Sequence, residues 1–484
     1  MTKPIVTVVG NLGYYSSPNP VASKIIWDGA PTPPALPAFT APADEQLKNP
    51  YMPITASGNA PYVFSFLNKK AAAPQFRVAL SNYAFGNPGS SQFWFYDPTG
   101  GPNTGTSPQA AWAQKSGPTA FNPPFNPYAL ANIDYNSNSY LVVADYDSAS
   151  NAGGTLCLLS MTSADVYAKV AALSIPNKIV SSNTYQAHVQ DVYVAGSRIF
   201  ALVIYSNTIS SPPPNLAYIN SEVREYNLTS SGSSTTFNLV RTVEISKNGV
   251  SLIPYTSGNN KYLFIPCIGG MQRYGNNNGA DSSLSMIQIA SSSSTVMSTE
   301  RKSYIGGTYP NLHDFRGLAI ATDGTAYILT GDYTSGFVMQ WILYQTTAAN
   351  LVALADATAT GTIDADDIAA GTHGNAFFWS IGICSNSTNE YLVFGKGTMP
   401  NPPSAQDEVH FLQVGEDWNN NVDNYNFIVP HTALSDNATS GFAINSMDIS
   451  VPGGVVRLKT PHFSQHPAKV RAMAAKVEEE ESKK

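Results

Sequence analysis

The sequence GLAIATDGTAYIL, residues 317–329, carries the pattern on which the fold prediction rests. An alternating apolar segment leads into an Asp-Gly pair, and a second apolar segment follows it. Strand residues face opposite sides alternately, and Asp-Gly is a favoured pair for a tight turn between antiparallel strands. The stretch therefore predicts a β-hairpin. Two polar residues directly before it, His313 and Asp314, are not explained by the hairpin.

Similar hairpins recur along the whole chain. In seven places an apolar run is followed by a loop rich in Gly, Pro and Asn and then by a second apolar run. The first runs start 58 to 71 residues apart, near Ile5, Phe76, Leu141, Ile199, Tyr262, Ala326 and Tyr391. A near-constant spacing is the signature of a repeat architecture. A short strand precedes most pairs and a fourth apolar run follows several, so each repeat predicts four antiparallel strands.

This organisation resembles the β-propeller superfamily over residues 1–460, and GLAIATDGTAYIL resembles the blade hairpins of NHL and lactonase-like propellers. The resemblance implies an all-β fold, a seven-bladed β-propeller with four-stranded antiparallel blades. The C-terminal INSMDISVPGGVVRLKT supplies one or two strands, and the N-terminus supplies a hairpin. Joining these N- and C-terminal strands completes the last blade and removes an open sheet edge. Eight blades and a double sandwich are the alternatives.

Two segments fall outside the repeat. Residues 30–53 are rich in proline and poor in charge, which predicts an extended strap across the surface. Residues 461–484 are predicted to form a charged tail that is helical or disordered. Val470, Met473 and Val477 recur there at helical spacing, so the tail could dock to a partner.

The composition limits the function. Charged residues make up 12% of the 484 residues, and the formal net charge is −7. The charged share is about half the usual one and is typical of secreted or surface β-proteins. A nucleic-acid partner is not expected without a basic surface, and no apolar run is long enough for a membrane span. We expect an extracellular, cell-surface or particle-surface protein whose leader is absent from this chain, with a cytoplasmic location as the alternative.

The three cysteines are predicted to be buried free thiols. Cys157, Cys267 and Cys384 each lie in an apolar, strand-like run, and none forms a CxxC pair. This spacing does not support a zinc knuckle or a disulfide scaffold.

The loops inside the seven hairpins are rich in Tyr, Asn, Ser, Gly and Pro. In a propeller these loops share one face, and Tyr and Asn provide contact area and hydrogen bonds at a small entropic cost. We therefore predict a binding or interaction module that takes a protein or carbohydrate partner on this face. GxSxG, HExxH and Walker-type motifs do not occur, so the corresponding enzyme classes have no support.

The alternative is a metal-dependent enzyme with its site at the central channel. Polar residues stand at or before the inner strand in several repeats, where they could converge on the channel. Because histidines and carboxylates together can ligate a metal or exchange protons, these residues are ligand-binding candidates. They are His188, Asp191, His313, Asp314, His373, Asn132 and Asn445, accompanied by Asp134, Asn375 and Asp448.

The sequence HDF at residues 313–315 resembles part of a motif of the carotenoid oxygenases, which bind iron through four histidines. Lactonase-like propellers instead hold calcium with Glu, Asn and Asp. These resemblances imply a lyase, lactonase or oxygenase activity and a divalent cofactor, either calcium or a transition metal. The candidate metal ligands are His188, His313, His373, Asp364 and Asp366. No fourth histidine follows the repeat, and the structural alternative is that these polar residues hydrogen-bond neighbouring blades.

Overall fold

The computed structural model describes the parts of the chain that form its sheets. These are residues 5–12, 19–26, 44–47, 59–71, 73–84, 93–97, 113–119, 125–148, 153–209, 215–232, 234–269, 271–272, 282–289, 298–302, 315–333, 339–353, 361–364, 376–385, 389–398, 408–415, 426–428, 442–451 and 454–456.

Nearly all regular structure in these residues is β-strand. In chain order the elements are β1 (Ile5–Leu12), β2 (Asn19–Ile26), β3 (Asp44–Leu47), β4 (Asn59–Asn68), β5 (Gln75–Ala84), β6 (Phe93–Asp97), β7 (Ala113–Thr119), β8 (Phe125–Tyr135), β9 (Asn138–Ser148), β10 (Thr155–Met161), β11 (Tyr167–Ser174), β12 (Lys178–Val180), β13 (Asn183–Ala195), β14 (Arg198–Ile209), β15 (Asn215–Ser231), β16 (Ser234–Lys247), β17 (Ile253–Ser257), β18 (Asn260–Cys267), β19 (Met271–Gln272), β20 (Ser283–Ile289), β21 (Ser298–Lys302), β22 (Phe315–Ile320), β23 (Thr325–Tyr333), β24 (Met339–Thr347), α1 (Ala348–Ala353), β25 (Gly361–Asp364), β26 (Ala376–Ser385), β27 (Glu390–Thr398), β28 (Glu408–Gln413), β29 (Asn426–Ile428), β30 (Phe442–Val451) and β31 (Gly454–Val456). Within this part of the chain, no helix has the length and hydropathy needed to cross a membrane.

The described strands pair into seven antiparallel sheets. Five of these sheets are runs of consecutive strands, namely β4–β7, β8–β11, β12–β16, β22–β25 and β26–β29. A sixth has the order β17-β18-β20-β21, while β19 pairs with β15 of the preceding sheet. The seventh has the order β3-β2-β1-β30-β31 and contains strands from both ends of the chain. The predicted all-β character and the repeated antiparallel strands are confirmed.

The hairpin predicted from residues 317–329 is present. Its strands β22 and β23 pair antiparallel. In the turn, the Asp323 carboxylate accepts a hydrogen bond of 2.8 Å from the Thr325 amide, and Gly324 has a φ of 91°. Glycine adopts this backbone region without the steric cost that other residues have. The Asp-Gly pair therefore forms the turn for the reason that the sequence suggested.

The predicted joining of the chain ends is confirmed. Strand β1 pairs antiparallel with β30 from Ile5 opposite Ser450 to Leu12 opposite Phe442. On the other side of the sheet, β3 pairs with β2. Strand β3 lies inside the proline-rich segment 30–53, so this part of the segment adds a strand to the sheet. The rest of that segment and the predicted tail 461–484 lie outside the described residues.

The sheets follow one another in a closed ring. Each sheet contacts the next along the chain, and the β26–β29 sheet contacts β30 of the sheet that joins the chain ends. Buried apolar side chains fill the spaces between neighbouring sheets. One such core places Val142 and Leu158 of β9 and β10 against Ala187 and Val203 of β13 and β14. Five of the seven described sheets have four strands, and the other two have five and six. A ring of such antiparallel sheets is the plan of a β-propeller.

The cysteine prediction is also confirmed. Cys157, Cys267 and Cys384 are free and buried. Burial raises the pKa of Cys384 to about 12, so its thiol stays protonated at neutral pH. Thiolates are the reactive form of cysteine, so this thiol is a packing group rather than a nucleophile.

Candidate functional site

A cavity of about 580 Å³ lies where the first strands of the sheets converge. Residues of six of the seven described sheets line it, and most of these are Val, Leu, Ile, Ala and Pro, including Val192, Leu318 and Ile381. Ligand sites in proteins are typically cavities of roughly 300–1,000 Å³ with an apolar lining and a few polar groups. We call this cavity the central channel. Its size and lining suit a small molecule.

The candidate residue Asn132 of β8 lines this channel, and its side-chain amide is hydrogen-bonded to the neighbouring sheet. Its Oδ1 accepts a hydrogen bond from the Leu67 amide at 3.1 Å, and its Nδ2 donates to the Leu67 carbonyl at 2.8 Å. From the other side, Oδ2 of the buried Asp448 accepts a 2.6 Å hydrogen bond from the Ser65 amide. Strand β4 is therefore hydrogen-bonded to both of its neighbouring first strands, β8 and β30.

Asp191 makes the same kind of link further around the ring. It is 2% exposed, and its Oδ2 accepts a 2.8 Å hydrogen bond from the Leu252 amide just before β17. Its Oδ1 accepts another from the Val192 amide at 2.8 Å. A buried carboxylate is stable only when such bonds replace its hydration. For Asn132, Asp448 and Asp191, the structure supports the structural alternative stated above.

His188 lies between sheets, against the neighbouring strand β9. Its ring stacks on Tyr146 with 4.3 Å between the ring centres. Nδ1 lies 3.1 Å from the Tyr146 carbonyl oxygen, and Nε2 lies 2.9 Å from Ser206 Oγ. Because a carbonyl only accepts, Nδ1 carries the proton and donates it there. Both ring nitrogens are thus engaged, and His188 is not among the described residues that line the channel.

The described residues do not assemble the predicted metal site. In this part of the chain, no group of three His, Cys, Asp or Glu side chains is placed to hold a metal ion. Of the other predicted site residues, His313, Asp314, His373 and Asp366 lie outside the described residues, as do the side chains of Asp364 and Asn445. Their roles therefore stay predictions.

The loop face is likewise untested. The loops inside the seven predicted hairpins fall wholly or partly outside the described part of the chain. These are residues 13–18, 85–92, 149–152, 210–214, 273–281, 334–338 and 399–407. A protein or carbohydrate partner on that face stays a prediction.

Glu390 is a channel residue that the sequence reasoning missed. It opens β27, and its Oε2 accepts hydrogen bonds from the amide and hydroxyl of Thr322 at 2.8 and 2.6 Å. Thr322 lies in the turn after β22, so this contact also joins two sheets. Both residues line the channel, and Glu390 is the charged one among the described lining residues. No motif or spacing in a single sequence distinguishes it from other residues at the start of a strand.

A buried ion pair outside the channel joins the β4–β7 and β8–β11 sheets. Arg77 Nε and Nη2 donate to the two carboxylate oxygens of Asp165 at 2.8 and 2.9 Å. Asn68 and Tyr167 donate to Asp165 Oδ1 at 2.6 and 2.9 Å. Burial by itself would raise the pKa of Asp165, but these hydrogen bonds and the charge of Arg77 lower it below its ordinary value.

Glu222 is a second buried carboxylate held in the charged form. Burial would raise its pKa, but hydrogen bonds from Lys178 and Tyr205 and the charge of Arg224 lower it. Lys178 Nζ lies 2.5 Å from Glu222 Oε1, and Tyr205 donates to Oε2 at 2.8 Å. Unlike the Asp165 pair, this group lies within one sheet, β12–β16.

The protein should lose stability on acidification because of these two carboxylates. A carboxyl whose pKa is lowered by folding adds stability above its unfolded pKa of about 4, and this stability is lost as the pH falls through the folded pKa. We expect the free energy of unfolding to fall as the pH is lowered from about 5. The Asp165→Asn/Glu222→Gln variant should show a shallower fall, measured by urea denaturation at a series of pH values. An equal slope in the variant would contradict this assignment.

Comparison with known proteins finds similar structures only. No protein-family model matches the chain, and no curated protein matches its sequence. A putative 6-phosphogluconolactonase from Bacteroides fragilis aligns with a TM-score of 0.45 and 10% identity over 88% of this chain and 98% of that one. Pseudomonas brassicacearum lignostilbene dioxygenase aligns with a TM-score of 0.47 and 9% identity over 92% of this chain and 92% of that one. A mutant of the Synechocystis apocarotenoid oxygenase aligns with a TM-score of 0.46 and 8% identity over 86% of this chain and 88% of that one. Similarities at this level assign neither a family nor an activity.

Proposed function

We propose that the protein is a seven-bladed β-propeller, one blade for each described sheet, which binds a small and largely apolar molecule in its central channel. The cavity of about 580 Å³ is the observation that carries this proposal. A ligand that buries its apolar surface against the partly buried Val194, Ile320 and Ile383 removes that surface from water, which is favourable by roughly 25 cal/mol per Å² before the cost of association is subtracted.

The channel replaces the loop face as the proposed site. The loop face has a composition that suits a partner, but its contacts lie outside the described residues. The channel combines a concave shape with a lining of both apolar and polar groups, including the half-buried Tyr193. Burial raises the pKa of Tyr193, so its phenol stays neutral at physiological pH. This location is also the one that the enzyme alternative requires.

Filling the channel should abolish binding. Ile320 lines the cavity and is partly buried, so Ile320→Trp places a large ring in the space that the ligand needs. We expect the affinity for a neutral probe, 1-octanol, to fall at least roughly tenfold, measured by ligand-observed NMR. The ring can also overpack the core, at about 1–3 kcal/mol, so folding is checked by circular dichroism.

A matched control places the same ring outside the channel. Val170 lies on the outer strand β11 and is 45% exposed, so Val170→Trp should leave octanol binding unchanged. The half-buried Ala131 offers a second channel position for tryptophan if the first variant does not fold. Binding that survives tryptophan at both channel positions would overturn the proposal.

A reaction in the same channel is the second candidate, because a lyase, lactonase or oxygenase would need such a concave site. Of its predicted metal ligands, only the side chain of His188 is described, and that ring is hydrogen-bonded to Tyr146 and Ser206. The test is metal analysis of the purified protein and of the His313→Ala/His373→Ala variant. A stoichiometric ion that is lost in the variant would support the enzyme, and an ion that is retained would refute these ligands.

A further inference from the structure

Glu390 is the charged residue among the described residues that line the channel. Glu390 is held there by Thr322, whose amide and hydroxyl both bind the same carboxylate oxygen, Oε2. The other oxygen, Oε1, accepts no hydrogen bond from any described residue, and no ion pair of the described residues involves Glu390. The carboxylate is thus positioned by neutral donors, and no cation among the described residues compensates its charge.

The lining next to Glu390 is mixed: the exposed Ser385 lies opposite Glu390 in the β26–β27 ladder, and apolar residues lie on the adjoining strands. Ile320 of β22 and Ile383 of β26 come from the two strands that precede Thr322 and Glu390, and Pro254 belongs to the neighbouring sheet. Lys69 and Lys70, which lie in the equivalent turn of the β4–β7 sheet, instead bind Asp134, Ser137 and Asn138. The contact between Thr322 and Glu390 is exposed to solvent, so the carboxylate attracts cations and repels anions with the modest strength of a surface charge.

We propose that the central channel selects a small amphiphilic cation, with its ammonium or similar group at Glu390 and its apolar body along the channel. This inference rests on the proposed function, because it needs a ligand in the channel, and it adds the chemical class of that ligand. Thr322 is a positioning residue, since it fixes the carboxylate without touching the ligand in this arrangement.

The competing explanation is that Glu390 and Thr322 only tie two sheets together, as Asn132 and Asp191 do elsewhere. The two explanations differ in their response to removal of the charge. Glu390→Gln keeps an oxygen that can accept from Thr322, so a purely structural tie is preserved. It removes the negative charge, so a preference for cations is lost.

The experiment compares three probes that share one chain length, namely octylammonium, 1-octanol and octanoate. Their affinities for the full chain are measured by isothermal titration calorimetry at low ionic strength. We expect octylammonium to bind roughly two- to fivefold more tightly than octanol, and octanoate to bind most weakly. In Glu390→Gln the ratio of the octylammonium affinity to the octanol affinity should fall to about one. Added salt should reduce the preference in the unmodified protein.

Asp323→Asn is the matched control. Asp323 is an exposed carboxylate directly after Thr322, it binds the Thr325 amide, and it is not among the described lining residues. Its replacement should leave the ammonium preference intact. If octanol and octylammonium bind equally, or if Glu390→Gln keeps the preference, the inference fails while the proposed function stands. If none of the three probes binds the unmodified protein, both fail.

Discussion

Replacing Asp165 with asparagine should lower the free energy of unfolding by about 3–5 kcal/mol, because a buried arginine then loses its main counter-charge. Arg77 and Asp165 are 2% and 5% exposed and share two hydrogen bonds. Asp97, 3.4 Å from Arg77 Nη1, is the other carboxylate near the guanidinium and is partly exposed. Urea denaturation of the single variant measures the loss.

Two further variants test the cause of that loss. The Arg77→Met/Asp165→Leu double variant removes both charges at once, so it should be much more stable than Asp165→Asn. Asp134→Asn is the exposed control, since its ion pair with Lys69 lies at the surface and should contribute less than about 1 kcal/mol. A double variant as unstable as Asp165→Asn would show that packing, rather than charge, holds these two sheets together.

Replacing Asp448 with alanine should have the second-largest effect, a loss of about 2–3 kcal/mol. Asp448 is 3% exposed and its Oδ2 accepts the 2.6 Å hydrogen bond from the Ser65 amide. Without it, a buried N–H in the first strand of the next sheet has lost its acceptor. The loss should appear both in the free energy of unfolding and as faster hydrogen exchange of the Ser65 amide.

Asp448→Asn is the matched variant, because it keeps an oxygen that can accept from the amide of Ser65. It should recover a large part of the stability lost in Asp448→Ala. Unchanged exchange of the Ser65 amide in the alanine variant would contradict a role for Asp448 in joining β30 to β4.

The architecture was predictable because its signals are local and repeated. The hairpin at residues 317–329 needs only alternation and an Asp-Gly turn, and the same pattern returned at near-constant spacing. The pairing of β1 with β30 was predictable because the strands at each end of the chain form an incomplete repeat and lack a partner within it. Strand β3 was missed, because Asp44–Leu47 lies in a proline-rich segment and has no alternation of apolar residues.

The candidate site was less predictable, because lining a channel depends on where a side chain points. Asn132, Asp191 and His188 were singled out by residue type, yet their polar atoms bind neighbouring strands. Polar groups at the start of an inner strand satisfy buried backbone groups as readily as they bind a ligand. Glu390 has no sequence signal of its own, since its place in the channel depends on contact with a turn 68 residues earlier.

The pairing of β1 with β30 also has a consequence for biosynthesis. Strand β1 can pair with β30 only after Ser450, the partner of Ile5, has been synthesised. Ribosomes add about 5–20 residues per second. The N-terminal hairpin is therefore exposed for roughly half a minute to a minute and a half with one edge unpaired. Such an edge can pair with the wrong strand until β30 is synthesised and covers it.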